Sequence, residues 1–146
     1  MTDLSRRNIR QRGIIPTEKL TATHATIIGV GAVGRQVALQ AAAMGISRLT
    51  LVDYDTVDVV NLAAQGFAEE DLGLSKVKAV GATCRKINSQ ILIEEEERAW
   101  APNLTPGNVI FLCVDNIETR EAIFNQLVSD CICNQCRQVT WLTTGQ

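Results

Sequence analysis

No run of about 18 consecutive apolar residues, the length a membrane-crossing helix needs, occurs in the 146 residues of this chain. The first residues, MTDLSRRN, are polar and charged, so neither a membrane span nor a secretory leader is expected. An excess of one charge is also missing. The 14 basic and 16 acidic side chains leave a formal net charge of −2, which argues against a broad electrostatic grip on nucleic acid or an anionic membrane. The one basic cluster, Arg6, Arg7, Arg10 and Arg12, reads as a solvated arm or helix face. Histidine occurs once, as His24, where a solvated edge residue before the first strand is expected. The five cysteines, Cys84, Cys113, Cys131, Cys133 and Cys136, are odd in number and uneven in spacing. That pattern suits free thiols in a reducing cytoplasm better than a disulfide framework. Neither an internal repeat nor a long linker is visible.

What is present is a composition of 46% hydrophobic and 21% charged residues, that of a folded globular chain with the length of one domain. ATIIGV (25–30) and RLTLVDYD (48–55) look like strands, rich in β-branched residues and ending at turn chemistry. Between them Val33, Val37, Ala41 and Met44 keep helical spacing and Gly45 supplies the stop. This predicts a parallel strand pair with a right-handed crossover. Val77, Val80, Cys84 and Ile87 mark a second helix, and QILIEE (90–95) a third strand. NVIFLCVD (108–115) is a nearly continuous apolar run, as expected of a strand buried on both faces. Ile123, Leu127 and Val128 lie on a helix after it, and QVTWLTT (138–144) is a candidate fifth strand. The pattern is α/β: a Rossmann-like, doubly wound parallel sheet, cut short at its C-terminal side. Residues 1–22 are expected to form an N-terminal arm or helix, and residues 23–146 the domain.

The stretch IIGVGAVGRQVAL (27–39) joins the first strand to its helix through a glycine-rich turn. Gly29 allows the tight turn, Gly31 lets backbone approach a phosphate, and Gly34 lets helix and strand pack closely. The N–H groups at the helix start, Ala32 among them, then face an anion with the helix dipole behind them. Asp53, at the end of the second strand, is placed to accept hydrogen bonds from ribose hydroxyls. These residues indicate an adenine nucleotide without separating NAD from ATP.

From GVGAVGRQVALQAAAMGISRLTLVDYDTVDVVNLAAQ onward, the chain resembles the ThiF/MoeB family, bacterial relatives of the ubiquitin-activating enzymes. LVDYDTVDVVNL (51–62) fits the family's strand and loop after the glycine turn. DLGLSKVKAV (71–80) fits its loop and lysine helix, CVDNIETR (113–120) its Asp-Asn strand end, and NIRQRGI (8–14) its opening Arg-Gln segment. The resemblance covers roughly residues 6 to 130. It implies ATP-dependent adenylation of the C-terminal glycine of a ubiquitin-like or sulfur-carrier protein ending in Gly-Gly. By family position Asp115 would hold Mg²⁺, with a helix N-cap at Asp115 or Asn116 as the alternative or additional role. Lys76 would contact phosphate, with a plain surface lysine as the alternative and Lys78 as a rival in register. Asp53 would bind ribose and Asn61 would line the phosphate side; Asp55, Gln65 and Asn116 complete the expected nucleotide contacts. Arg10 matches an arginine that, in the family's dimers, reaches across to the partner's nucleotide. With a sheet edge left to cover, a homodimer closed by a two-fold axis is expected.

Two departures stand out. Where the family reads Asn-Leu-x-Arg-Gln, this chain has NLAAQ, with Ala64 in place of a phosphate-binding arginine. Such a loss removes charge-assisted hydrogen bonds, and Arg35 is a candidate substitute. Family members also continue past the equivalent of residue 146, so a fragment or a differently ending frame is expected. A truncated or degenerate relative that binds nucleotide or a partner without turnover therefore remains an alternative. An NAD-dependent oxidoreductase is disfavoured, because NLAAQ and DLGLSK have no role in hydride transfer. CICNQC (131–136) offers three thiols where a closed zinc site wants four ligands, and EEEER (94–98) reads as a solvated strand end or loop.

Overall fold

The computed structural model describes residues 6–11, 13–133 and 140–143. Five strands, β1 (His24–Ile28), β2 (Arg48–Val52), β3 (Leu92–Glu96), β4 (Val109–Leu112) and β5 (Thr140–Thr143), form one sheet in the order β3-β2-β1-β4-β5. All four pairings are parallel, as a Rossmann-like sheet requires. The chain order reverses between β1 and β4, so a crevice opens at the carboxyl ends of these two strands.

Among the described residues five α-helices accompany the sheet: α1 (Thr17–Ala22), α2 (Ala32–Met44), α3 (Val59–Gln65), α4 (Lys76–Ile87) and α5 (Ile117–Cys133). Successive strand residues point to opposite faces. Ala25, Ile27, Leu49 and Leu51 therefore meet Ala38, Ala41 and Ala42 of α2 and Val77, Val80 and Cys84 of α4. On the other face Ile28, Val52, Ile110 and Leu112 meet Ile123 and Leu127 of α5. Fully burying one such Ile or Leu side chain is worth about 1.5–3 kcal/mol, so truncating Ile27 to Ala would cost stability without touching the crevice. Alanines on α2 let its axis come close to the sheet. Gly45, at φ +94°, ends α2 in the left-handed conformation and donates to the carbonyls of Ala41 and Ala42, as a C-terminal glycine does.

Several local features differ from the sequence expectation. NLAAQ lies on a helix, α3, not in a loop. Asp58 accepts the amide of Val59, and Asn61 Oδ1 accepts the Asp58 amide at 2.9 Å, so reciprocal capping supports even this short segment. Helix α5 extends well past Val128, to Cys133, and takes in part of CICNQC; Cys136 lies outside the described residues, so a zinc site there does too. Among the described residues no group of three or more Cys, His, Asp or Glu side chains could hold a metal ion.

The acidic run is a strand end, as expected, since β3 closes at Glu96, but its carboxylates are paired and not simply solvated. Glu94 pairs with Arg48, Glu95 with Arg85, Glu96 with Arg98 and Glu97 with Lys78. Each exposed pair is worth little alone, but together they charge the β3 edge against pairing with another strand. His24 is also not a solvated edge residue. It opens β1, half-buried, with Nε2 2.7 Å from Thr50 Oγ1, and that hydroxyl donates to Glu94 Oε2 at 3.1 Å. Burial first, and then Arg48, lowers its pKa below 6.5.

The N-terminal segment packs at the far end of α2. Gln11 Nε2 donates to Met44 O at 2.7 Å, Asn8 abuts Gly45, and the Arg7 guanidinium reaches the carbonyl of Ile87 at the end of α4. Leu20 of α1 is buried in the α2–α4 core.

Candidate functional site

The glycine turn separates three demands. Gly29 has φ +86°, and a Cβ there would stand 2.9 Å from the carbonyl carbon of Cys113. A Cβ on Gly34 would lie 1.8 Å from the Gly29 carbonyl oxygen, which no side chain survives. Gly31, the residue before α2, has φ −72°, and its nearest neighbour would be Gln65 Oε1 at 3.6 Å, an ordinary contact. Packing does not demand glycine at position 31, and its φ lies outside the left-handed region. The space in front of it is open to a ligand.

Asp53 ties this turn to β2. Its Oδ2 accepts the Val30 amide at 2.8 Å and its Oδ1 the Asp55 amide at 2.9 Å, while Gly29 N donates to Val52 O at 2.8 Å. The turns after β1 and β2 are thereby held as one unit at the carboxyl end of the sheet.

Around them lies a cavity of about 730 Å³. Its lining brings together Gly29, Gly31 and Ala32 from the glycine turn, Asp53, Tyr54 and Asp55 after β2, Asn61 and Gln65 of α3, Lys76 of α4, and Asp115 and Asn116 after β4. Residues distant in sequence thus converge where the topology predicts. Gly34 packs behind the turn instead of lining the cavity. Arg10 is exposed on the segment docked at the C-terminal end of α2, about 20 Å from the glycine turn by the length of a 13-residue helix.

Side-chain geometry resolves two alternatives. Lys76 is buried, with Nζ 2.8 Å from Asp55 Oδ2, whereas exposed Lys78 points to Glu97 at the sheet edge. Lys76 is therefore the lysine of the cavity, and Ser75 starts its helix by accepting the Lys78 amide. At the start of α5, Asn116 is the cap: its Oδ1 accepts the Thr119 amide at 2.8 Å. Asp115 is exposed, and its carboxylate has no hydrogen bond or ion pair among the described residues. Asn61 spends Oδ1 on its helix cap, leaving Nδ2 as the group it can offer a ligand. Gln65 Oε1 is buried without a partner among the described residues. A buried carbonyl oxygen in that state is costly until something donates to it.

Arg35 is not in the cavity lining. Its guanidinium lies 5.5 Å from the centre of the Phe67 ring and beside Gly66. Ala64 is exposed on α3, which carries no cation. The cation that sequence reasoning passed over is Arg120, which lines the cavity from the first turn of α5 and donates to Val114 O through Nε at 3.2 Å and Nη2 at 2.6 Å. The motif CVDNIETR contained it, and its position four residues after the cap aims it back at the strand end. Cys113 also lines the cavity, and burial pushes its thiol up to about 11, against the opposing pull of Arg120.

Donor chemistry fits a nucleotide with a hard cation. Mg²⁺ is usually held by one or two carboxylates together with phosphates and water, and Asp115 is the cavity carboxylate with no competing protein partner. The open face of Gly31 and the amides of the α2 start suit a phosphate.

These features define a Rossmann-like α/β domain with a cavity at the topological switch point. The ThiF family model matches residues 4–143, and the chain belongs to the ThiF family. It is 32% identical over 155 residues to mouse ubiquitin-like modifier-activating enzyme 5, covering 94% of this chain and 37% of that protein. It is 37% identical over 108 residues to mouse adenylyltransferase and sulfurtransferase MOCS3, covering 70% and 24% respectively. Among solved structures, the fold resembles E. coli tRNA N6-threonylcarbamoyladenosine dehydratase, TcdA, in complex with ATP, with a TM-score of 0.78 at 23% identity over 98% of this chain and 60% of that one. The chain spans about a third of the length of the modifier-activating relatives it matches.

Proposed function

We propose that this chain binds ATP with Mg²⁺ and serves the adenylation of the C-terminal glycine of a ubiquitin-like or sulfur-carrier protein ending in Gly-Gly. The observation that carries this reading is the convergence of Gly31, Asp53, Lys76 and Asp115 on one cavity at the switch point, in a chain of the ThiF family. The modifier-activating and adenylyltransferase relatives and the ATP complex of its structural neighbour support this reading.

In the proposed reaction a carboxylate oxygen of the carrier bonds to the α-phosphorus of ATP and the bond to the β-phosphate oxygen breaks, releasing pyrophosphate. The protein's part is to position the ends and offset charge on the phosphoryl oxygens. The α2 amides and Gly31 receive phosphate. Lys76, paired with Asp55, stands beside it. Asp53 oxygens, each holding one backbone N–H, keep lone pairs for ribose hydroxyls. Asn61 Nδ2 offers a donor, and Gln65 Oε1 an acceptor. Asp115 would hold Mg²⁺, which supplies charge neutralisation at the phosphates when bound.

Arg10 is too far along α2 to serve the cavity of its own chain. A homodimer in which it reaches the neighbouring site is the reading that gives it a role, and a cytoplasmic location is the one that suits the free thiols of Cys84 and Cys113.

ATP–pyrophosphate exchange in the presence of a Gly-Gly-ended carrier tests the activity. Carrier-dependent exchange is expected. Tight Mg²⁺–ATP binding with no exchange would favour a non-catalytic relative, a reading that Ala64 on a cation-free α3 supports.

A further inference from the structure

We infer that Arg120 is a positioning residue for Asp115, holding the peptide from which the proposed Mg²⁺-binding carboxylate projects. The inference rests on the assignment of Asp115 above.

Asp115 lies just beyond the sheet. The ladder contact at this end runs from Cys113 N to Ile28 O at 2.8 Å, and Val114 and Asp115 follow it into the opening between β4 and α5. A carboxylate on such a segment would swing with the backbone unless that backbone were fixed by other means. Two clasps fix it. On one side the Arg120 guanidinium donates twice to Val114 O, at 3.2 and 2.6 Å. On the other, Asn116 Oδ1 accepts the Thr119 amide at 2.8 Å, and Asn116 O accepts the Arg120 amide at 3.0 Å. Arg120 thus engages the residue before Asp115 with its side chain and the residue after it with its main chain.

The Val114 carbonyl and the Asp115 amide belong to one rigid planar unit. Holding the carbonyl therefore sets the direction of the Asp115 N–H, leaving only the dihedrals of Asp115 itself to aim the carboxylate. The grip uses two donors in the fixed fork of a guanidinium; the single ammonium of lysine would keep the charge and lose the fork. Groups that orient a metal ligand affect metal affinity strongly when removed, by about 10–100-fold.

The test measures ATP affinity by calorimetry in EDTA and across a MgCl₂ series, for the parent, Arg120→Lys, Arg120→Gln and Asp115→Asn. Amide NMR of the ligand-free proteins reports on the Asp115 backbone, and thermal unfolding confirms that each is folded. Both Arg120 variants should need about 10–100-fold more Mg²⁺ for half of its effect on ATP affinity. Arg120→Lys, which keeps the charge, should lose less ATP affinity in EDTA than in MgCl₂, and in both variants the Asp115 amide resonance should move before any ligand is added. Unchanged Mg²⁺ dependence in both variants, with Asp115→Asn losing it, overturns this inference and leaves the functional reading standing. An equal loss of ATP affinity in EDTA and in Mg²⁺ also overturns it, because Arg120 would then be acting on the nucleotide itself. A parent whose ATP binding ignores Mg²⁺ takes down both.

Discussion

The Cβ position of Gly34 lies 1.8 Å from the carbonyl oxygen of Gly29, whereas that of Gly31 meets nothing nearer than Gln65 Oε1 at 3.6 Å. One glycine of the turn is required by the fold and another is left over for a ligand. Gly34→Ala should fail to fold or lose several kcal/mol, since overpacking against backbone cannot relax cheaply. Gly31→Ala should melt close to the parent yet bind ATP at least about tenfold more weakly, a difference of about 1.4 kcal/mol. Thermal unfolding and ATP titration of the two variants check this. A Gly31→Ala protein with unchanged ATP affinity would show that no phosphate approaches that backbone.

Lys76 and Lys78 give a paired test. Lys76 is buried in the cavity against Asp55, and Lys78 is exposed against Glu97. Lys76→Met should weaken ATP binding by about tenfold or more, on the scale of a charge-assisted hydrogen bond. Lys78→Met should leave binding unchanged within error. The reverse order would move the phosphate site out of the cavity to the sheet edge beside Glu97.

Asp115 and Asp53 should separate by the kind of loss. Asp115→Ala removes a carboxylate that does no structural work among the described residues, so Mg²⁺-dependent exchange should vanish while part of the ATP binding and the melting temperature survive. Asp53→Ala breaks the hydrogen bonds to Val30 N and Asp55 N, so both ATP affinity and stability should fall, the latter by about 1–3 kcal/mol. Equal exchange rates in Asp115→Ala and parent would remove its assigned role.

The thiols set an alkaline limit. Burial pushes Cys84 and Cys113 up to about 11, against 9.0 for an ordinary thiol. Above pH 9 the unfolded chain loses these protons first, so stability that is intact below pH 9 is lost as pH rises toward 11. The decline is carried mainly by fully buried Cys84, while Cys113, half-buried at the cavity wall, contributes less because solvent screens it. Thermal unfolding from pH 8 to 11 should show this decline, and Cys84→Ala should flatten it despite a lower starting stability. Equal slopes in variant and parent would contradict the burial argument.

The sheet was legible because strand and helix periods alternate cleanly: ATIIGV, RLTLVDYD and NVIFLCVD became β1, β2 and β4 within a few residues at each end. Helix α3 was not, because VVNLAAQ buries no apolar face and its start depends on the reciprocal cap between Asp58 and Asn61. The half-burial of His24 was not legible either, because its hydrogen bond to Thr50 depends on strand register, which one strand's sequence does not encode. Among cavity residues, the glycine turn, Asp53, Lys76 and Asp115 carry a motif. Arg120 was passed over because its work, two bonds to a backbone carbonyl, leaves no signature in residue type. Arg35 looked available from its place after Gly34, but only the structure shows its guanidinium over Phe67. Arg35→Ala should therefore keep full ATP affinity.

The central claim is that the cavity at the switch between β1 and β4 is a site for ATP with Mg²⁺. Equilibrium titration of the parent protein with ATP and with NAD, each in MgCl₂ and in EDTA, tests it most directly. The account predicts saturable ATP binding that strengthens with Mg²⁺ and exceeds NAD binding by at least about tenfold. NAD binding as tight as ATP, or ATP binding indifferent to Mg²⁺, would contradict it.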